Sequence, residues 1–212
     1  MTEMKREDYL SLSDESWGSL NGMLSSKPRD RILSTATSLF NERGIQAVGV
    51  NTIIERADVA PMTLYRQFGS KDDLVAATLK EWSERWLRWL RDRLEARGDD
   101  PSDRFQALWD ALEEWFGSED FRGSFIANAA QELRSEPGHP AHAVIAAHRA
   151  AERELLEDLA RRAGADDPPA VAAQLQVLMD GAIAIAAVDR QPGAAQNARM
   201  LASVALQRGG IR

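Results

Sequence analysis

The amino-acid sequence predicts an all-α fold, and three observations support that class. The residues Ala, Leu, Arg and Glu, which favour helices, dominate the 212 positions, and only 8 prolines interrupt them. Apolar side chains recur at spacings of three and four, and no segment shows the alternation of a strand. Glycine or proline marks the boundaries between these segments. We therefore expect three short helices followed by a larger helical body.

The three short helices have clear start and stop signals. We expect them to span residues 28–43, 50–57 and 61–68. Gly44 ends the first helix, as glycine commonly does. Asp58 follows the second, where a left-handed backbone is often needed and Asp tolerates it. Pro61 suits the first turn of the third helix. The short connection after Asp58 predicts a helix-turn-helix.

The rest of the chain divides at similar signals. Ser70 caps a long fourth helix, with Asp73 completing a short-acid capping box. Its buried face is marked by Val75, Leu79, Trp82, Trp86 and Leu90. Further helices are expected at about 102–117, 121–134, 140–163, 168–188 and 192–207. We divide the chain into a flexible arm (1–26, with a short helical piece near 9–12), a helix-turn-helix domain (27–72) and a helical body (73–212).

Composition excludes several classes of protein. The chain has no cysteine, so disulfides and thiolate metal sites are excluded. Pro140 breaks the helical pairing of His139 with His142, and we expect no metal site and no cofactor. There is no phosphate-binding glycine loop and no nucleophile elbow, so an enzyme is not expected. No apolar run approaches ~18 residues and no signal-peptide core is present, which predicts a cytoplasmic protein without a membrane partner.

Charge is unevenly distributed along the chain. The net charge is -7, yet residues 27–85 carry nine basic and eight acidic side chains and are the only part that is not acidic. The net charge of this segment is thus only +1. So small a positive charge predicts modest non-specific affinity for a polyanion, with contacts made by a few well-placed side chains.

The third helix carries side chains suited to double-stranded DNA. Thr63 and Tyr65 have hydroxyls that donate to phosphate oxygens, and Lys71 meets the same backbone as a point charge. Thr52 and the free amides near the start of the second helix offer another phosphate clamp. On the leading face, four residues have chemistry that matches base edges: Pro61, Met62, Arg66 and Gln67. Leu64 and Phe68 are expected to face inward.

These residues stand in a register that resembles a known family. The segment 58–74, DVAPMTLYRQFGSKDDL, resembles the N-terminal domain of TetR-family transcriptional regulators, and the resemblance covers about residues 29–79. It implies an all-helical homodimer whose third helix enters the major groove and whose fourth helix joins the DNA-binding head to a ligand-binding body. It also implies phosphate contacts at Thr63, Tyr65 and Lys71, and base contacts around Pro61, Met62 and Gln67.

This chain departs from the family pattern at three positions. Asp58 replaces the usual glycine of the turn, and Ala60 replaces a frequent serine, losing a side-chain cap worth about 1 kcal/mol. Gln67 stands where His is common, which predicts a shifted base preference. In the body, segment 123–132 (GSFIANAAQE) looks like one TetR subgroup in which Cys often occupies the place of Ser124.

The body offers candidates for dimerisation and for ligand binding. The helices at 140–163 and 168–188 are candidates for a four-helix dimer bundle, and the alternative is that they pack only within one subunit. The candidate interface residues are Leu155, Leu159, Leu175, Leu178, Ala182 and Ile185.

Five of the six tryptophans fall between residues 82 and 115, which favours a cavity for an apolar or aromatic ligand. The alternative is that these aromatics are core residues. The candidate contacts are Trp86, Trp89, Trp109, Phe116, Phe125, Asn128, Gln131 and Asp180.

Together these features predict a ligand-responsive transcriptional regulator. The expected form is a dimeric repressor that binds a palindromic operator and is released by a small molecule. An activator, a regulator that needs a co-repressor, and a helical ligand-binding or scaffold protein without DNA function stay open as alternatives.

Overall fold

The computed structural model describes residues 27–190 and 193–208, with side chains as far as Val204, and all the regular secondary structure in this part of the chain is helical. Its helices are α1 (Pro28–Arg43), α2 (Val50–Ala57), α3 (Pro61–Phe68), α4 (Lys71–Glu95), α5 (Pro101–Phe116), α6 (Phe125–Glu132), α7 (Ala141–Arg162), α8 (Pro168–Asp189) and α9 (Ala194–Arg208). The all-α prediction is confirmed. The predicted N-terminal arm lies outside the described residues.

Helices α1, α2 and α3 form the head, and their boundaries match the predicted ones. The core of the head comes from apolar stripes at helical spacing, including the fully buried Ile32, Ile53 and Leu64. Asp58 ends α2 with a left-handed backbone, φ 50° and ψ 59°, as its position in the turn predicted. The Asp58 amide donates to Glu55 and Ile54 carbonyls, which closes the end of α2.

The long helix α4 begins at the predicted cap. The Ser70 hydroxyl oxygen accepts from the Asp73 amide at 3.0 Å and donates to the Asp73 carboxylate at 2.6 Å. The buried face of α4 is the predicted one and includes Leu79, Trp82, Trp86 and Leu90. Because α4 packs on α1 at its start and on α5 and α7 further along, it joins the head to the body.

In the body, α7 packs on α4, α8 packs on α7, and α9 packs on α8 and α5. One boundary differs clearly from its prediction: α6 starts at Phe125 instead of about residue 121. The backbone turns at Gly123, with φ 80°, and Ser124 then caps the helix by accepting from the Ala127 amide at 3.2 Å. A helix through these residues would need a helical glycine and would lose that cap.

Helix α8 corrects the expectation that no segment approaches the length and apolarity of a membrane span. Among the described helices it alone is long and apolar enough, with a mean hydropathy of 1.7 over an 18-residue window. Within the fold, 44% of that window is buried. Core helices of globular proteins pass the same test, because a helix packed on several neighbours is apolar on more than one side.

Candidate nucleic-acid interface

Helix α3 has a buried side and an exposed side. Leu64 is fully buried and Phe68 is 8% exposed, which confirms that both face inward. On the other side Met62 is 75% exposed and Tyr65 is 47% exposed. We call the exposed residues Pro61, Met62, Tyr65, Arg66 and Gln67 the reading face. In the described part of the chain, no hydrogen bond or ion pair engages the side chains of Tyr65, Arg66 or Gln67.

The predicted phosphate-binding residues other than Tyr65 are less exposed than this face. Thr63 and Thr52 are half-buried. Lys71 is also half-buried, and its Nζ donates to the Ile45 carbonyl at 2.8 Å. An ammonium group has three donors, so this bond leaves two for a phosphate oxygen. The bond also fixes the position of the charge beside the connection between α1 and α2.

The starts of α2 and α3 have no side-chain caps. Gly49 precedes α2 and Ala60 precedes α3, and neither has a side chain that accepts a hydrogen bond from the first turn. The missing cap at Ala60 is the departure from the family pattern seen in the sequence. Uncapped first-turn amides carry partial positive charge, which favours anions at both helix starts.

Arg31 of α1 holds the turn in place, and sequence reasoning missed it. Its Nε donates to the Ala57 carbonyl at 3.1 Å and its Nη2 to the Asp58 carbonyl at 3.0 Å. The guanidinium group therefore bonds two carbonyls at the end of α2, in the turn that leads to α3. Helical spacing places Arg31 on the rim of α1 but does not indicate a partner 26 residues away.

The predicted ligand-binding aromatics lie mostly in the core of the body. Trp86, Trp109 and Phe125 are at most 2% exposed. Trp86 stacks on Trp82 with ring centroids 6.2 Å apart, and Phe125 meets Trp82 edge to face at 6.2 Å. These three residues stabilise the fold. Their burial favours the core alternative, and their role as ligand contacts stays a prediction.

The remaining candidates lie nearer the surface. Trp89 is half-buried, with the Arg93 guanidinium 5.6 Å from its ring centre. Gln131 is exposed on α6. Asn128 is exposed and its Nδ2 donates to the Arg122 carbonyl at 3.2 Å.

A cleft of about 430 Å³ opens between the end of α5, the α5–α6 connection and the end of α8. Its lining residues are Glu113, Phe116, Gly117, Ser118, Glu119, Phe121, Arg122, Ala186, Ala187 and Arg190. The rings of Phe116 and Phe121 lie 5.0 Å apart. Of the predicted ligand contacts, Phe116 lines the cleft, and Asn128 supports the Arg122 backbone beside it.

Another predicted contact, Asp180, is engaged by an arginine. Both of its carboxylate oxygens accept from Arg149, at 2.8 and 2.6 Å. The same guanidinium donates to the Glu152 carboxylate at 2.8 Å. The bidentate pair joins α7 to α8, which is a structural role.

A buried polar network joins α4, α7 and α8. The Ser83 hydroxyl and His148 Nδ1 are 2.9 Å apart, and His148 Nε2 lies 3.8 Å from the Glu152 carboxylate. The Gln176 amide donates to the same carboxylate at 2.8 Å. Burial lowers the pKa of His148 to about 4 and raises the pKa of Glu152 to about 7. At neutral pH His148 is therefore uncharged, and its contact with Glu152 is not an ion pair.

The structure buries half of the predicted dimer stripe within one subunit. Leu159, Leu175 and Ala182 are at most 4% exposed within one subunit, so they are not available to a partner. Leu155 and Leu178 are half-buried, and only Ile185 of the six is exposed. Helix α8 is apolar on several sides, so its sequence pattern did not indicate which side meets the rest of the subunit.

The exposed apolar side of α8 is formed by residues beside the predicted stripe. Its members, at spacings of four, three and four, are Val177, Gly181, Ala184 and Val188. Val177 is 70% exposed and Val188 is 80% exposed. Helix α9 adds Met200, Leu201 and Val204, which are 49–63% exposed. We call these seven residues together with Ile185 the α8–α9 face.

Comparisons with known proteins agree with the geometry of the head and the body. The family model for bacterial regulatory proteins of the tetR family matches residues 32–78. The helix-turn-helix transcriptional regulator YjdC of Escherichia coli is 24% identical over 174 residues, covering 82% of this chain and 91% of that protein. The transcriptional repressor KstR2 of Mycobacterium tuberculosis is 28% identical over 109 residues, covering 51% of this chain and 54% of that protein.

The solved structure of a TetR-family transcriptional regulator from Streptomyces coelicolor extends the agreement to the body. It is 30% identical to this chain, has a TM-score of 0.75, and the match covers 87% of this chain and 97% of the Streptomyces protein. The similarity therefore includes both the head and the helices that carry the cleft and the α8–α9 face. The chain belongs to the TetR family of DNA-binding helix-turn-helix transcriptional regulators and is not an enzyme.

Proposed function

We propose that this protein is a repressor that binds a palindromic operator as a homodimer and is released by a small molecule. The observation that carries the proposal is the reading face: its side chains are exposed and unengaged, while Leu64 and Phe68 anchor the back of the same helix. Arg66 and Gln67 match guanine and adenine edges, and Met62 matches a thymine methyl group. A regulator of this kind works in the cytoplasm, where its DNA is.

The α8–α9 face supports the dimer. It consists of exposed apolar residues on two helices that pack on each other, and those on α8 have the spacing by which helices pack against one another. Two copies that meet through α8 and α9 form a four-helix bundle with twofold symmetry. A palindrome has the same twofold symmetry, so such a dimer can present one reading face to each half-site.

The cleft between α5, the α5–α6 connection and α8 is the proposed effector site. Its volume of about 430 Å³ falls in the range of small-molecule pockets. Phe116 and Phe121 offer faces for an apolar or aromatic compound, and Arg122, Arg190 and Glu113 supply charge for orienting it. A compound that binds better when the heads have the wrong spacing for DNA weakens operator binding, and by linkage the operator weakens compound binding equally.

Repression is favoured by the similarity to the mycobacterial repressor over 51% of this chain. An activator or a co-repressor-dependent regulator has the same head, and a reporter gene in a deletion strain separates the three. A scaffold or ligand carrier without DNA function is disfavoured, because it would have no need of an unengaged reading face.

The decisive experiment selects DNA from a random pool with the purified protein. We expect a palindrome whose two half-sites are separated by a fixed gap. Tyr65→Ala is expected to weaken binding to every sequence by about tenfold, because it removes a phosphate contact, whereas Gln67→Ala is expected to relax one base position. Recovery of no enriched palindrome would support the scaffold alternative and contradict the proposal.

A further inference from the structure

The head also contacts the body through residues that do not belong to α4. Gln46 lies in the connection between α1 and α2, and Glu132 is the last residue of α6. The Gln46 amide donates to the Glu132 carboxylate at 3.0 Å, and the Gln46 side chain donates to the Glu132 carbonyl at 3.1 Å. A weaker bond reaches Glu136 at 3.4 Å. One residue of the head is thus bound twice by one residue of the body.

The close approach of the two segments depends on Gly44. A Cβ atom at Gly44 would lie 3.1 Å from both carboxylate oxygens of Glu132. Gly44 also has φ +86°, a backbone conformation that residues with a side chain rarely adopt. The absence of a side chain therefore leaves room for the Glu132 carboxylate against the backbone of the head.

The same connection is bound from its other side. Lys71, the first residue of α4, donates to the Ile45 carbonyl at 2.8 Å. Next to it, Asp72 lies 3.6 Å from Nε2 of the buried His139, which precedes α7. The segment 44–46 is thereby held between the start of α4 and the end of α6.

We propose that Glu132 and Gln46 are positioning residues that fix the angle of the head on the body and so determine which half-site spacing the dimer accepts. This inference rests on the proposed dimeric operator binding. The chain passes from head to body only through α4, and a single helix resists twisting of the head poorly when no second contact exists. The bonds between Gln46 and Glu132 provide that second contact at a site distant from α4 in sequence.

The chemistry of the contact predicts how each substitution acts. Glu132→Ala removes the acceptor of the Gln46 amide. Glu132→Gln keeps an amide oxygen at the same place and should restore most of the contact. Gln46→Ala removes only the bonds from the side chain and leaves the amide in place. None of these side chains belongs to the reading face, so the bases that are preferred within each half-site should not change.

The test compares the half-site gaps that each variant selects from a random DNA pool. Wild type and Glu132→Gln should select one gap. Glu132→Ala should also accept gaps one or two base pairs longer or shorter, with about fivefold less discrimination, and Gln46→Ala should change in the same direction by less. Glu154→Ala, which removes an equal charge from an exposed site on α7, is the matched control. Thermal unfolding checks that every variant is folded.

Unchanged gap discrimination in both Glu132→Ala and Gln46→Ala would overturn the inference while leaving the proposed function intact. If wild type itself selects no gapped palindrome, the proposed function fails and the inference fails with it. A change in base preference within the half-site, with the gap unchanged, would show that the contact shapes α3 instead of the angle of the head, and would also overturn the inference.

Discussion

The guanidinium group of Arg31 donates to the backbone carbonyl of Asp58, with 3.0 Å between Nη2 and the oxygen. Asp58 is the left-handed residue on which the direction of α3 depends, because it turns the chain out of α2. The Arg31 side chain thus bonds the backbone at the point where the helix-turn-helix changes direction. A second bond, from Nε to the preceding Ala57 carbonyl, lets the same guanidinium group bind two consecutive carbonyls.

Substitution of Arg31 should therefore weaken DNA binding through the turn. Arg31→Ala leaves two carbonyls without their donors, and we expect a loss of about 1–2 kcal/mol of stability and about tenfold lower operator affinity. Arg31→Lys should recover less than half of the loss, since one ammonium does not reproduce the two-pronged geometry. Thermal unfolding and fluorescence anisotropy measure the two effects. Wild-type behaviour of Arg31→Ala in both assays would contradict the role.

Lys71 should contribute to the salt dependence of binding. We expect Lys71→Ala to lower affinity for all sequences and to reduce the slope of log K against log salt by about 2 per dimer, one unit for each subunit. Lys80→Ala is the matched control, because Lys80 is an exposed residue of α4 that pairs with Glu84. Titrations at several salt concentrations give the slope. An unchanged slope for Lys71→Ala would show that its ammonium group serves only the Ile45 carbonyl.

The α8–α9 face should be required for dimerisation. Val188→Glu places a charge on the exposed apolar stripe of α8, and burial of that charge between subunits is strongly unfavourable. We expect this variant to sediment as a monomer and to lose operator binding. Ala146→Glu on the exposed side of α7 is the control and should stay dimeric. The opposite result would place the interface on α7, which the sequence analysis had paired with α8.

Glu152 should make stability depend on pH. Its carboxyl has a pKa of about 7 in the fold against 4.5 for the ordinary group, so the folded state binds the proton more tightly than the unfolded state. The carboxyl therefore contributes stability that is present below about pH 4.5 and is lost as the pH rises to about 7. His148, with its pKa lowered to about 4, acts oppositely between about pH 4 and 6.5 and masks this effect in wild type.

Glu152→Gln removes the carboxyl contribution and keeps the side-chain volume. Relative to wild type, the variant should become more stable by up to about 3 kcal/mol as the pH is raised from 4.5 to 8, because wild type then holds a charged buried carboxylate. Denaturant unfolding at several pH values measures the difference. Glu154→Gln, on the exposed side of α7, should show no such trend. If the difference in stability between Glu152→Gln and wild type does not change with pH, Glu152 titrates outside this range.

The sequence predicted most of the head correctly, because the relevant signals are local. Gly44, Asp58 and Ser70 act through the backbone within a few residues, and the two sides of α3 follow from its helical period. The contacts of Arg31 and of Gln46 were not predictable in this way. Their partners lie 26 and 86 residues away, and no periodic pattern links such distant positions.

The sequence by itself determined the all-helical class, the ends of the head helices, the cap of α4 and the family. These depend on short-range backbone and periodicity effects. Only the tertiary structure decided which side of α8 stays exposed, which tryptophans fill the core, and where Glu132 meets the head. A helix that is apolar on several sides has no preferred orientation of its own, and its neighbours decide which of those sides is buried.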